Sequence, residues 1–141
     1  MVRRLAYVLA AVALLGGGFL LAANGPVNAP APAARGAALD RFERGDWEVR
    51  FRPDKSRRRM CLRNGRALIQ LRHPVRDCSQ LVVSETGDRV TVHYTCPGHG
   101  YGRTEIWREN GRLAQIQSQG IVDGEPFDFS AEARRVGSCA G

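Results

Sequence analysis

Four cysteines, Cys61, Cys78, Cys96 and Cys139, all lie downstream of an apolar N-terminal segment, and nothing else in the chain restricts its fold so strongly. Thiols that follow an export signal meet an oxidising compartment, where an even set is used as disulfide staples. The segment itself begins with a short positive region, Arg3 and Arg4, and Leu5 to Ala23 then carries no charge. That is the pattern of a secretory signal, with cleavage points after Ala23 or Ala33. Its apolar run is also close to the roughly 20 residues that cross a bilayer, so an uncleaved N-terminal anchor competes with cleavage. In both cases the arginines stay cytoplasmic and the remainder is translocated, which points to a periplasmic protein.

Composition divides the chain into residues 1–23 as signal or anchor, 24–38 as a disordered Ala/Pro linker, and 39–141 as one β-rich domain. A folded part of about 100 residues supports a single modest core and gains from covalent staples. Removing Arg3 and Arg4 takes the formal charge from +7 to +5, and Lys55 is the only lysine. Arginine suits carboxylate and phosphate recognition, and Arg57, Arg58 and Arg59 form the densest basic run, a candidate anion patch. Such a run also serves simply to keep an edge strand soluble. Export argues against DNA or RNA as the partner.

Turn residues punctuate the second half into antiparallel strands. Ser79 to Ser84, Arg89 to Cys96, Tyr101 to Glu109, Arg112 to Val122 and Glu125 to Val136 read as strands, joined at Gly87-Asp88, Asn110-Gly111 and Asp123-Gly124. Asn-Gly and Asp-Gly are strong hairpin signals because both residues accept positive φ. Earlier, Trp47 to Arg52 and Arg58 to Leu62 form two more strands, and Ala67 to Leu71 is expected to be a short helix ended by Pro74. The fold class is thus mainly β: one disulfide-stapled antiparallel meander, curved or half-barrel, with at most one short helix.

Two-residue turns set the registers. Pairing across Asn110-Gly111 puts Trp107 beside Ala114, and pairing across Asp123-Gly124 puts Phe127 opposite Gly120 and Phe129 opposite Ser118. Trp107, Ile116, Phe127 and Phe129 would then share one face, as core or as an apolar ligand surface. A three-residue turn between Glu85 and Arg89 sets Cys78 opposite Cys96, at a spacing a disulfide can bridge. Cys61 and Cys139 pair by elimination.

Four segments, taken in order, resemble the bacterial exported family called domain of unknown function 3617. They are Gly45-Asp46-Trp47-Glu48-Val49, Met60-Cys61-Leu62, the hairpin from Asp77-Cys78 to Cys96, and Ala133 to Cys139. This chain departs from that family in carrying arginine where members are rich in methionine and lysine, and in a short loop after Val49. The resemblance implies an exported β-rich fold and carries no activity with it.

No residue set forms an active site. His93, Cys96 and His99 have a metal-like spacing, but His93 and Cys96 point to opposite faces of a strand and Cys96 has a disulfide partner. Ser84, Ser118 and Ser130 sit in no nucleophile elbow, His73 reads as a surface histidine, and no Cys-x-x-Cys pair is present. No catalytic residue, metal or cofactor is expected. The leading expectation is a non-enzymatic envelope protein that binds a lipid-like ligand or another envelope component. The alternative is a periplasmic inhibitor of a hydrolase, as small lysozyme inhibitors are, presenting the acidic turn Asp123-Gly124-Glu125.

Overall fold

Side chains alternate between a buried and a solvated side along nearly every strand, and that period of two organises a computed structural model describing residues 35–140. The seven strands are β1 (Gly45–Phe51), β2 (Arg57–Leu62), β3 (Ser79–Glu85), β4 (Arg89–Cys96), β5 (Gly100–Asn110), β6 (Leu113–Val122) and β7 (Glu125–Gly137). They form one antiparallel sheet in the order β2-β1-β7-β6-β5-β4-β3, with β2 and β3 as its open edges. Consecutive hairpins account for β3 to β7. The β1–β2 hairpin joins through β1, which pairs with the last strand. The apolar leader lies outside the described residues, as does the linker up to residue 34.

One side of this open half-barrel is filled. Trp47 and Val49 of β1, Val90, Val92 and Tyr94 of β4, Ile106 of β5, Ile116 of β6 and Phe129 of β7 belong to a single buried cluster. Large residues on β4 and β7 face small ones on their neighbours: Ala114, Ala131 and Ala133 are fully buried and leave room for the aromatic rings. The cluster is closed by the segments that precede and follow the β1–β2 hairpin. A single helical turn, α1 (Ala37–Asp40), delivers Leu39 and Phe42, and a 3-10 turn at Gly65–Leu68 delivers Leu68, Ile69 and Leu71. Phe42 packs against Trp47 with ring centroids 5.5 Å apart, and the Trp47 indole N–H donates to the Glu43 carbonyl at 3.0 Å. The folded part therefore begins before Leu39. Gly36 and Ala38 donate their backbone N–H groups to the Glu85 carboxylate, at 2.7 and 2.8 Å, and this tethers the end of the expected linker to β3.

The disulfides are Cys61–Cys139 and Cys78–Cys96. Asp46 of β1 lies between Cys61 of β2 and Gly137 of β7, so the first bridge crosses the end of β1 and fastens edge strand β2 to the C-terminus. The second fastens the chain entering β3 to the end of β4. Two bridges fit an oxidising compartment.

Register explains where Trp107 goes. Asp123 and Gly124 both take positive φ (48° and 87°), a tight two-residue turn that sets Gly120 opposite Phe127 and Ser118 opposite Phe129. Asn110 and Gly111 do not take positive φ. Asn110 instead uses its side-chain oxygen to accept the Arg112 N–H at 2.8 Å, the loop residues become Gly111 and Arg112, and Glu109 is left unpaired as a bulge. The pairing moves by one residue, so Trp107 faces Gln115 rather than Ala114. A shift of one reverses the face: Trp107 lies outside at 48% exposure, and Trp47 is the buried indole.

Candidate functional site

The four residues expected to share an apolar face are divided by the sheet. Ile116 and Phe129 are buried inside, Phe127 is partly buried at the margin, and Trp107 stands on the outer face with the Arg89 guanidinium 5.2 Å from its ring centroid. The expected concave ligand surface is thus occupied by the protein's own α1 and 3-10 segments. Several surface clefts remain among the described residues, the most voluminous (about 670 Å³) between β2 and the segment after the 3-10 turn; the one floored by aromatic rings, of about 340 Å³, lies at one end of the half-barrel, where the β1–β2 turn approaches the start of β7.

Three phenyl rings form the floor of this cleft. Phe51 and Phe129 meet edge-on at 5.1 Å between centroids, and Phe127 stacks on Phe129 at 6.1 Å. Two exposed guanidiniums stand over the rings: Arg58 is 5.5 Å from the Phe51 centroid and Arg72 is 5.9 Å from the Phe127 centroid. Arg58 also donates to the Leu71 carbonyl at 2.7 Å, which fixes its direction. Asp54 on the rim accepts from the Ser56 N–H and hydroxyl, at 3.0 and 2.7 Å, and these two bonds hold its carboxyl below the ordinary carboxylate range. Asp128 completes the rim. An apolar group reaching the floor would pass between the arginine stems and leave an anionic head beside their guanidiniums.

The basic run does not act as one patch. Strand alternation sends Arg57 and Arg59 to the outer face, where Glu48 (3.7 Å) and Asp46 pair with them, and turns Arg58 inward to the cleft. The Arg59 hydrogen bond lowers the Asp46 pKa. Glu48, Glu105, Asp88 and Glu132 likewise accept contacts from Arg50, Arg89, Arg108 and Arg134. Much of the outer face's positive charge is therefore balanced locally.

His73, like Trp107, does not lie where the sequence placed it. It is 1% exposed, not on the surface. Its Nε2 lies 3.1 Å from both the His99 and the Ile121 carbonyl oxygens, and its Nδ1 lies 3.1 Å from the Tyr94 hydroxyl. Two carbonyls accept only, so Nε2 carries the proton and Nδ1 accepts from Tyr94. The polar chain continues inward. Ser118 and Thr104 lie 2.7 Å apart, and Thr104 donates to the Ile69 carbonyl at 2.5 Å, so the Ser118 hydroxyl donates to Thr104. Burial raises the Tyr94 pKa, opposed by the neighbouring Ser118 hydroxyl and by Arg72. These contacts saturate the groups involved and tie the segment after the 3-10 turn to β4, β5 and β6.

The other candidates are dispersed. His93 is exposed, Cys96 is bridged, and His99 contacts Asp123 at 2.9 Å. Among the described residues, no three His, Cys, Asp or Glu side chains converge as metal ligands would. Ser118 is buried in the chain above and Ser84 is exposed on β3. The acidic turn at Asp123-Gly124-Glu125 is exposed, with Asp123 engaged by His99. No protein-family model, curated protein or solved structure matches this chain.

Proposed function

We propose that the protein is exported to the periplasm and works there as a non-enzymatic binding module, with the phenylalanine cleft as its recognition surface. The observation that carries this reading is the pairing of an apolar floor, Phe51, Phe127 and Phe129, with two guanidiniums placed directly over it. That combination suits a ligand with a short apolar part and an anionic head, such as the end of a lipid-like molecule. A cleft of about 340 Å³ is at the small end of ligand pockets, so it would hold one ring system or a short chain, not a whole lipid. Two disulfides and the apolar leader support the compartment. The likeness to the domain of unknown function 3617 family agrees with an exported β-rich protein and adds no activity.

Fluorescence titration with anilinonaphthalene sulfonate, whose fused rings and sulfonate match this chemistry, tests the reading. Saturable, blue-shifted emission that laurate competes away is expected. Arg72→Ala and Phe127→Ala should each weaken it by about tenfold, the equivalent of 1.4 kcal/mol. Absence of saturable binding, or wild-type affinity retained in both variants, would reject the cleft as the site.

A further inference from the structure

Charge is divided unevenly in the folded part, and the division marks an interaction surface. Between Asp54 and Asp77 lie eight basic residues, Lys55 and seven arginines, and no acidic one. The rest of the described chain, 35–54 and 77–140, holds eleven basic and fourteen acidic residues. The basic stretch is also one block in space. Edge strand β2 runs through it, the 3-10 turn follows, and Arg58 ties the two by donating to the Leu71 carbonyl at 2.7 Å. Arg58, Arg59 and Arg66 line the cleft of about 670 Å³ beside β2, with no carboxylate among its lining residues. Arg58 lines the phenylalanine cleft as well, next to Arg72, so the two clefts adjoin. Arg57, Arg59 and Arg66 have partners in Glu48, Asp46 and Asp40. Lys55, Arg58, Arg63, Arg72 and Arg76 are exposed, and none of them joins an ion pair among the described residues. Five uncompensated cations on one block repel one another, and a partner of opposite sign relieves that repulsion.

We propose that this face docks on a bilayer surface of anionic headgroups. Two observations select a bilayer over another polyanion. The cations are interleaved with Met60, Pro74 and Val75, so headgroup phosphates can meet guanidiniums while the carbons beneath them meet the cleft. The chain outside the described residues also ends here. It enters at Arg35, and a Cβ on the adjoining Gly36 would lie 3.1 Å from Arg66 Nη2. Eleven residues, 24–34, separate that point from the apolar run ending at Ala23, a reach of about 40 Å at most. A retained leader therefore keeps the basic face close to the membrane that holds it. A cleaved one leaves the cations to hold the domain there, each adding its own attraction to the anionic surface. The outer face of the sheet has no such excess, because Arg50, Arg89 and Arg134 pair with Glu48, Glu105 and Glu132. The proposed export supplies the setting, and docking does not require the phenylalanine cleft to be occupied.

Arginine footprinting of the full chain with phenylglyoxal is the test, on vesicles of phosphatidylcholine alone or mixed with phosphatidylglycerol. Arg63 and Arg76 should lose most of their reactivity on the mixed vesicles and keep it on phosphatidylcholine. Arg103, exposed on the outer face, should react equally on both. Titrating the lipid and following the protection of Arg58 and Arg72 gives an affinity. Arg63→Gln and Arg76→Gln should each weaken it by about fivefold. Both side chains are exposed and unpaired, so the thermal midpoints should not move. Arg103→Gln removes the same charge elsewhere and should leave the affinity unchanged, as should Phe127→Ala, which disables the phenylalanine cleft alone. Equal protection on the two kinds of vesicle would overturn the proposal. So would an equal loss in Arg103→Gln, which would reduce the effect to net charge, or a loss confined to Phe127→Ala, which would move the headgroup to the phenylalanine cleft.

Discussion

His73 is held on two edges by three oxygen partners, and replacing it by leucine removes all of them while preserving much of the volume. Each buried group left without a partner costs about 1–3 kcal/mol, so His73→Leu should lower stability by more than Tyr94→Phe, which removes one hydroxyl. Urea denaturation of both variants checks the order. Tyr94 itself adds a pH dependence. Its folded pKa is raised above the ordinary 10.0 by burial, so the neutral phenol's contribution is fully present below about pH 10 and lost as pH rises through the folded value. Ultraviolet difference titration should show one phenol ionising late, with unfolding, and Tyr94→Phe should abolish that step. A Tyr94 that titrates at the ordinary value without loss of structure would contradict its burial. None of this was legible in Arg72-His73-Pro74. The residues flanking His73 are exposed, and its burial comes from contacts with β4, the β4–β5 turn and β6 that are distant in sequence. Trp107 left its expected place in the core for an equally local reason, the Asn110 side chain taking a backbone role in the turn.

At the scale of elements, the hairpins were readable and their registers only partly so. Asp123-Gly124 pairs β6 with β7 as its residue types demand, and Cys78 and Cys96 meet where a three-residue turn would put them. A bulge at Val83 then moves the turn end of the β3–β4 hairpin by one residue. Close approach also shapes the β4–β5–β6 seam. A Cβ at Gly102 would come within 2.4 Å of the Tyr94 hydroxyl oxygen, and one at Gly120 within 2.1 Å of the Tyr101 carbonyl oxygen. Gly102→Ala should therefore displace the Tyr94 ring and destabilise the protein by about 1–3 kcal/mol, as overpacked cores do. Calorimetry showing an unchanged midpoint would contradict that packing. The disulfides provide a larger contrast. Their sequence separations are 78 for Cys61–Cys139 and 18 for Cys78–Cys96, which correspond to about 4–5 and 3 kcal/mol on the chain-entropy model. Cys139→Ala should lower the unfolding midpoint more than joint Cys78→Ala and Cys96→Ala, and the reverse order would show that strain or residual structure outweighs loop length.

For the whole molecule, the mainly β class and the staples followed from turn spacing and cysteine count, whereas the sheet order did not. Nothing local announces that β1 pairs with β7, because strand adjacency across the sequence depends on where the Cys61–Cys139 bridge and the common core bring the ends together. The same long-range closure fills the half-barrel with Leu39, Phe42, Leu68 and Ile69. The proposed compartment requires that the chain is exported before its thiols react. Non-reducing mass spectrometry of the protein recovered from the compartment in which it accumulates tests that most directly. The expected result is a mass four hydrogens below that of the reduced chain, with peptides linked as Cys61–Cys139 and Cys78–Cys96 and an N-terminus beginning after Ala23 or Ala33. Free thiols on a cytoplasmic chain that retains Arg3 and Arg4 would contradict it.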